Sequence, residues 1–273
     1  MVLDPCVAPS AISVSGPAGP ISVIAMERGS ATGCETRVLF LHPVNLTARC
    51  WMPVASRLGD FNRVLIDSRG HGRSHMNGPF SIDDYAADVR AVIETLGLSE
   101  IHIVGASLGG SIACAVAAAL PETVRSLVAV GSSLEPADPD ALARLEHWRE
   151  AQAAAELFDE FLEQEVSLGL SPSVAADARQ QVGLDTRCGG LIKDITWSAF
   201  AEDARRYACG VRCPALILTG EHDESCPPET GERMAAALGA PFEILPGLGH
   251  FPMMQAPALV AGRLARFIGG VTP

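Results

Sequence analysis

The segment from Ile101 to Pro121 constrains the fold more than any other part of the chain, because none of its residues carries a charge. A stretch of this length could cross a bilayer as a helix, but glycines and polar side chains interrupt it. It begins with Ile-His-Ile-Val, which is typical of a buried strand, and continues after its glycines with an alanine-rich run that is typical of a buried helix. We therefore predict a strand, a tight turn and a helix inside a large globular core.

Strand and helix patterns alternate on both sides of this segment. The elements predicted before it are a hairpin over 12–26, strands over 37–41 and 63–66, and a helix over 82–96 that is capped by Ser81 and stopped at Gly97. The elements predicted after it are strands over 124–130, 215–219 and 242–245 and helices over 228–238 and 256–268. Such alternation, with nearly continuous apolar strands, indicates an α/β protein with a mostly parallel sheet covered by helices on both faces.

The strand pattern is missing between Ser132 and Gly210. This stretch holds 15 acidic and 7 basic side chains, which account for −8 of the net charge of −12. We predict a mostly helical cap of residues 132–210, inserted into one core domain formed by residues 1–131 and 211–273.

Charge and cysteine usage narrow the class of protein. The chain has 32 acidic and 20 basic residues, so it lacks the positive charge that binding to nucleic acid requires. The same net negative charge disfavours binding to an anionic membrane surface, so we expect a small-molecule partner. The eight cysteines form no CxxC pair and no Cys/His cluster, so we expect neither bound metal nor a disulfide framework. The first residues lack the basic and apolar regions of a secretory signal, so we expect a cytoplasmic protein.

The turn inside the first segment has the pattern of a nucleophile elbow. Residues 105–109 read Gly-Ala-Ser-Leu-Gly between a predicted strand and a predicted helix. Small neighbours allow a sharp turn that would raise the Ser107 hydroxyl above the edge of the sheet. A serine hydroxyl is a poor nucleophile at neutral pH, so it needs a base and a carboxylate that orients the base.

Two later segments supply these partners in the chain order Ser107, Asp223, His250. Asp223 comes just after the predicted strand over 215–219, and His250 lies in a glycine-rich loop after the strand over 242–245. Both positions are at the carboxyl ends of strands, where side chains can converge on the elbow. The rival carboxylates are Glu221, Glu224 and Glu135.

Together these motifs resemble the α/β-hydrolase superfamily. Residues 41–44, Leu-His-Pro-Val, stand where that family has its oxyanion loop, and residues 67–74 match its D-x-R-G-x-G-x-S turn. The part from Trp51 to Gly131 looks most like the 3-oxoadipate enol-lactonase-like branch. The resemblance implies the α/β-hydrolase fold, with a mostly parallel central sheet flanked by helices and a helical cap insertion.

The resemblance also implies a role for each residue of the candidate triad. Ser107 would be the nucleophile, His250 the general base and acid, and Asp223 the orienting carboxylate. The backbone N–H groups of Val44 and Leu108 would form the oxyanion hole. Pro43 stands where the family has a glycine, and we expect it to stiffen the loop while Val44 donates. We expect the two loop histidines, at positions 42 and 71, to be structural.

Candidate substrate contacts come from the oxyanion loop and the cap. Asn45 follows the loop directly, and its amide either faces the pocket or only closes a turn. The cap aromatic side chains are candidates for a pocket roof, above all Trp148 and Trp197. An acidic cap disfavours a dianionic ligand unless an arginine points inward, and the candidates are Arg49, Arg144 and Arg149.

These predictions describe a cofactor-independent serine hydrolase that cleaves a small-molecule ester or lactone through an acyl-enzyme on Ser107. A haloalkane dehalogenase or epoxide hydrolase is disfavoured, because those relatives need an aspartate at this position. Three alternatives stay open: a carbon–carbon bond hydrolase of ring-cleavage products, a cofactor-free oxygenase or peroxidase, and a non-enzymatic receptor for a small ligand. The resemblance is compatible with a homodimer.

Overall fold

The structure is a computed structural model that describes residues 9–27, 36–150, 154–185 and 191–271. The side chains of 148–150, 154–157 and 182–185 lie outside this description. Eight strands form one sheet in the order β1-β2-β4-β3-β5-β6-β7-β8. They are β1 (Ser10–Ser15), β2 (Pro20–Met26), β3 (Arg37–Leu41), β4 (Asn62–Ile66), β5 (Ile101–Ala106), β6 (Val124–Val130), β7 (Ala215–Gly220) and β8 (Phe242–Leu245).

The sheet is antiparallel only at one edge. β1 and β2 form the predicted hairpin, β2 pairs antiparallel with β4, and every further pair is parallel. β5 is longer than the predicted strand over 101–104, because Gly105 and Ala106 pair with Ala129 and Val130 of β6. Glycine has a low intrinsic preference for strands, but pairing with β6 extends β5 through this position. The predicted mostly parallel sheet is confirmed.

Besides a short 3-10 helix at Ala48–Trp51, eleven α-helices accompany these strands within the described residues. They are α1 (Met52–Ala55), α2 (Ile82–Thr95), α3 (Leu108–Ala119), α4 (Pro139–Glu150), α5 (Ala154–Ser167), α6 (Pro172–Asp185), α7 (Leu191–Ala201), α8 (Arg205–Ala208), α9 (Pro228–Leu238), α10 (Pro252–Gln255) and α11 (Pro257–Gly270). The Ser81 hydroxyl accepts a hydrogen bond from the Asp84 N–H, as predicted for the start of α2. Gly97, with φ of 58°, follows the end of that helix.

Apolar side chains bury both faces of the sheet. In β3, Leu39 and Leu41 belong to a cluster with α2 and α3, whereas Val38 and Phe40 belong to a cluster with α1 and α11. Successive side chains of a strand point to opposite faces, so this division shows that helices cover the sheet on both sides. The uncharged segment is β5 followed by α3, and no described helix is both long and apolar enough to cross a membrane.

Helices α4 to α8 lie between β6 and β7, which are adjacent in the sheet. The described part of residues 132–210 contains no strand. In this segment α4 packs on α7 and α5 packs on α6. The chain therefore leaves the sheet at the end of β6 and returns to a neighbouring strand after an excursion whose described residues form helices and loops. We call residues 132–210 the cap segment, and we propose that they form a unit distinct from the core domain.

Candidate active site

Ser107 occupies the turn between β5 and α3 with φ of 50° and ψ of −122°. Few residues other than glycine adopt a positive φ, and such strain concentrates at functional sites. Two glycines make the turn sterically feasible. A Cβ on Gly105 would lie 2.0 Å from the Gly109 carbonyl oxygen, and a Cβ on Gly109 would lie 2.4 Å from the Leu41 carbonyl oxygen. The elbow therefore holds a nearly buried serine at the carboxyl end of a central strand.

Asp223 and His250 form a buried pair at the same edge of the sheet. His250 Nδ1 lies 2.8 Å from Asp223 Oδ1 and 2.9 Å from Oδ2. Asp223 Oδ1 also accepts hydrogen bonds from the N–H groups of Ser225 and Cys226, at 3.0 and 2.8 Å, which fixes the carboxylate in its loop. A carboxylate at Nδ1 keeps the proton on that nitrogen and leaves Nε2 unprotonated.

The three rival carboxylates have other positions. Glu221 is exposed and accepts a hydrogen bond from the Gly247 N–H at 2.8 Å. Glu135 pairs with Arg233 at 2.8 Å, and Glu224 is exposed. Among the carboxylates considered from the sequence, only Asp223 contacts the His250 ring in the described structure.

Ser107 and His250 line one cavity of about 150 Å³. Within the described part of the chain, no hydrogen bond of 3.5 Å or less joins the Ser107 hydroxyl to the His250 ring. This contact is often long in substrate-free enzymes and tightens when substrate binds. The two residues therefore share a cavity without a hydrogen bond between them in the described structure.

Burial and two carboxylates act in opposite directions on the pKa of His250. Burial is the largest single effect and lowers this pKa, but the charge and hydrogen bond of Asp223 together with the charge of Glu165 outweigh it, so the pKa is raised above its usual value. The nearby Cys226 thiol is not a competing nucleophile, because burial and the Asp223 charge raise its pKa well above the usual value.

Two buried histidines hold the loop that follows β3. His42 Nδ1–H donates to the Pro43 carbonyl at 2.6 Å, and His42 Nε2 accepts from the Ser68 N–H at 2.9 Å. His71 Nε2 accepts from the Asn45 N–H at 3.0 Å. Burial lowers the pKa of His42 to about 4 and, with the neighbouring His42, lowers that of His71 to about 3. Both rings are therefore neutral at pH 7 and fully used in hydrogen bonds to the backbone.

The loop after β3 places Val44 beside the same cavities as the elbow. Val44 and Ser107 line the same two cavities, and no hydrogen bond from the Val44 N–H is found among the described residues. Leu108 is the first residue of α3, so its N–H has no acceptor within that helix. Pro43 has no N–H and cannot act as a donor at this position. These two amides are therefore available to a negatively charged oxygen, and we keep them as the candidate oxyanion hole.

Of the predicted substrate contacts, Asn45 lines the small cavity, where its Nδ2 donates to Thr196 Oγ1 at 3.0 Å. Thr196 and Phe200 of α7 line this cavity, whereas Trp197 is half-buried and lines neither cavity that contains Ser107. A helix advances about 100° per residue, so the side chains of Thr196 and Trp197 leave α7 in different directions. The Trp148 side chain lies outside the described residues.

Ser107 also opens into a larger and more polar cavity of about 600 Å³. Its acidic lining residues are Glu135, Asp138, Glu202, Glu224 and Glu229, and its basic ones are Arg144 and Arg233. Of the arginines considered from the sequence, Arg144 reaches this cavity, Arg49 lies 3.5 Å from Asp177, and the Arg149 side chain lies outside the described residues.

No group of three or more His, Cys, Asp or Glu side chains in the described ranges is arranged to hold a metal ion. The described cysteines with free thiols are Cys50, Cys114, Cys209, Cys213 and Cys226.

Glu165 of α5 is a functional candidate that was not predicted from the sequence, and it accepts a hydrogen bond from the His250 N–H at 2.8 Å. The sequence does contain a pattern that could have identified Glu165. Phe158, Phe161, Leu162 and Glu165 follow the spacing of one helix face, so an acid falls on an otherwise apolar stripe.

Known proteins are similar to this chain in fold and in sequence. A model of the alpha/beta hydrolase family matches residues 38–263. A 2-(acetamidomethylene)succinate hydrolase of Mesorhizobium japonicum is 29% identical over 271 residues, covering 92% of each chain. A thermophilic esterase from Thermogutta terrifontis superposes with a TM-score of 0.78 and 23% identity over 97% of this chain and 100% of the esterase. An enol-lactonase from Burkholderia xenovorans superposes with a TM-score of 0.78 and 21% identity over 95% and 100%.

Proposed function

Because the chain belongs to the alpha/beta hydrolase family, we propose that this enzyme is a cofactor-independent serine hydrolase that cleaves a small-molecule carboxylic ester or lactone. One observation carries the proposal. The strained Ser107 opens into the same cavity as His250, whose Nδ1 is held by the buried Asp223.

In the proposed mechanism, Ser107 Oγ attacks the substrate carbonyl carbon while His250 Nε2 takes the hydroxyl proton. Asp223 stabilises the imidazolium that forms. The N–H groups of Val44 and Leu108 bind the carbonyl oxygen as it becomes an oxyanion, and each such donor contributes about 3 kcal/mol in comparable enzymes. His250 then returns the proton to the departing alcohol oxygen, which leaves an acyl-enzyme.

Water completes the cycle. His250 Nε2 takes a proton from a water molecule, whose oxygen attacks the acyl carbonyl carbon on Ser107. The second tetrahedral intermediate collapses with release of the carboxylic acid, and the proton passes from His250 to Ser107 Oγ. For a lactone the alcohol and the acid remain parts of one product.

The two cavities indicate a substrate with unlike ends. The smaller one is lined mainly by aromatic and aliphatic side chains, including Phe158, Phe161 and Phe200, and suits a small and largely apolar group. The larger one has more acidic than basic lining residues, and one of its two arginines is paired with Glu135. An anionic group there would be repelled, so we propose neutral or cationic substrates, unlike the succinate named for the Mesorhizobium relative.

The test of the nucleophile is intact mass after treatment with a serine-directed fluorophosphonate, on the native enzyme and on Ser107→Ala. We expect one adduct on the native enzyme, none on the variant, and a loss of about four orders of magnitude in ester turnover by the variant. A folded Ser107→Ala that hydrolyses esters at the native rate would refute the mechanism. An adduct without hydrolysis of any ester or lactone would favour carbon–carbon bond cleavage.

The test of the substrate class uses esters that share one acyl group and differ in whether the alcohol ends in a methyl, carboxylate or trimethylammonium group. A second set carries the same groups on the acyl chain. We expect kcat/KM to be lowest for the carboxylate in at least one set, with a difference that shrinks as salt is added. A preference for the carboxylate that disappears in Arg144→Gln would show that Arg144 binds the anion instead.

A further inference from the structure

A second buried carboxylate approaches the candidate base from the cap segment. Glu165 of α5 is 2% exposed. Its Oε1 accepts a hydrogen bond from the His250 N–H at 2.8 Å, and its Oε2 accepts one from the Phe251 N–H at 3.2 Å. One carboxylate thus binds two consecutive backbone N–H groups, whereas Asp223 binds the ring of the same histidine. The backbone and the ring of His250 are held by different carboxylates from different parts of the fold.

The loop is shaped to accept this carboxylate. A Cβ on Gly249 would lie 2.4 Å from Glu165 Oε1, so any larger residue at this position would push the carboxylate away. The Gly249 N–H donates to Gln255 Oε1 at 2.9 Å, and Gln255 Nε2 donates to the Leu168 carbonyl at 3.3 Å. The loop is therefore joined to α5 directly through Glu165, and to the residue just after α5 indirectly through Gln255 of α10.

Phe161, one helical turn before Glu165, packs against the same loop. Its ring centroid is 5.7 Å from that of His250 with an interplanar angle of 76°, and 5.1 Å from that of Phe251 at 88°. These edge-to-face contacts come from the same face of α5 as the carboxylate. Helix α5 therefore contacts both the backbone and the ring of His250.

The charge of Glu165 acts on the same imidazole. The titratable groups that face His250 in the described structure are Asp223 and Glu165, and Cys226 contacts Asp223. Burial raises the pKa of Glu165, and the two N–H donors favour its ionised form. When ionised, Glu165 adds to the stabilisation of protonated His250 that Asp223 provides.

We infer that Glu165 is a positioning residue that couples the cap segment to the catalytic histidine of the proposed mechanism. By binding the N–H groups of His250 and Phe251, it sets the backbone from which the imidazole projects. By its charge, it helps to set the pH at which Nε2 accepts a proton. A displacement of α5 would therefore alter both the position and the basicity of His250. The inference rests on the proposed function only in assigning His250 as the base.

The test compares Glu165→Gln with Glu163→Gln, a substitution of the same chemistry at an exposed position of the same helix. Glutamine keeps the size of the side chain, removes the charge and turns an amide group toward one of the two N–H donors. The pKa of His250 is measured by NMR titration of its imidazole, assigned by its absence in His250→Asn. Hydrogen exchange of the peptide that spans 249–255 reports the backbone contact.

We expect Glu165→Gln to lower the pKa of His250 by about half a unit or more and to speed exchange in this peptide, with neither change in Glu163→Gln. The acid limb of kcat/KM should move to lower pH by the same amount, with a lower kcat and little change in KM. A folded Glu165→Gln with native titration and native exchange would overturn the inference. A role in stability alone would lower Tm without moving the acid limb, and would also overturn it.

A shorter acid separates position from charge and serves if Glu165→Gln does not fold. Glu165→Asp keeps the charge but withdraws the carboxylate by one methylene. We expect faster exchange with a smaller change in the pKa of His250, and native exchange would contradict the inference. Because titration and exchange require no turnover, they stay informative even if the fluorophosphonate finds no activated serine. Failure of the coupling and failure of the proposed function are thus distinguishable.

Discussion

Arg69 and Asp88 form a bidentate ion pair inside the protein, with Arg69 Nε 2.6 Å from Asp88 Oδ2 and Nη2 2.7 Å from Oδ1. Both residues are 2% exposed. Arg69 belongs to the D-x-R-G-x-G-x-S turn, and Asp88 lies on α2. The turn carries His71, which binds the candidate oxyanion loop through the Asn45 N–H. The ion pair therefore anchors the D-x-R-G-x-G-x-S turn to α2, and this turn supports the candidate oxyanion loop.

Removing one partner of this pair should cost much more stability than removing an exposed one. Asp88→Asn leaves a buried guanidinium without its full counter-charge, and we expect a loss of about 3 kcal/mol in the free energy of unfolding. Glu94→Gln on the same helix removes an exposed pair with Arg90, and we expect a change of about 0.5 kcal/mol or less. Urea denaturation followed by circular dichroism measures both. Equal losses in the two variants would contradict this assignment.

Asp223→Asn should abolish most activity while the fold remains. An asparagine can donate its amide hydrogen to His250 Nδ1, which would place the ring proton on Nε2 and remove the base. We expect kcat to fall about ten-thousand-fold. Glu232→Gln, an exposed neutralisation on α9, should leave kcat at the native value. If Asp223→Asn retains a tenth of native activity, the orienting carboxylate lies elsewhere.

The pH dependence of kcat/KM should follow the raised pKa of His250. Protonated His250 cannot accept the Ser107 proton, so the rate falls as pH falls through this pKa. Because Asp223 and Glu165 raise it, we expect the midpoint of the acid limb to lie above the ordinary imidazole value of about 6.5. Rates on a neutral ester from pH 5 to 9 at constant ionic strength locate the midpoint, with circular dichroism at each pH as a control. A midpoint well below the ordinary value would contradict the described environment.

The elbow should tolerate no side chain at Gly105. An added Cβ there meets the Gly109 backbone at 2.0 Å, so Gly105→Ala must displace α3 or β5. We expect a loss of about 3 kcal/mol in the free energy of unfolding, and lower turnover in the molecules that fold. Gly262→Ala in α11 is the matched control, because a Cβ there meets no atom within 4 Å. We expect that variant to be about 0.5 kcal/mol more stable, since alanine favours helix. Thermal unfolding compares the two directly.

Much of the fold could be predicted because its signals are local. The start of α2 depends on the contact between Ser81 and Asp84, and its end is followed by a glycine of positive φ. The elbow depends on the small residues within five positions of sequence. Caps, tight turns and apolar periodicity involve neighbouring residues, so a sequence pattern is sufficient to predict them.

The contacts around His250 could not be predicted in the same way. Four acids were candidates to orient the ring, and only the tertiary structure brings Asp223 rather than Glu221, Glu224 or Glu135 to Nδ1. Thr196, rather than Trp197, meets Asn45 because of the rotation of α7 about its axis. Side-chain direction at long sequence separation depends on how helices pack, and helix packing is a property of the whole chain.

Local sequence patterns were therefore enough to predict the strands, the serine elbow and the order of the candidate catalytic residues, since each is encoded in a few neighbouring positions. The identity of the carboxylates that surround His250 depends instead on how the whole chain packs. Asp223 and Glu165 reach that histidine across 27 and 85 residues of chain. Contacts over such separations form only when the sheet and the helices of the cap segment have packed, so their partners are chosen by packing and burial rather than by local sequence pattern.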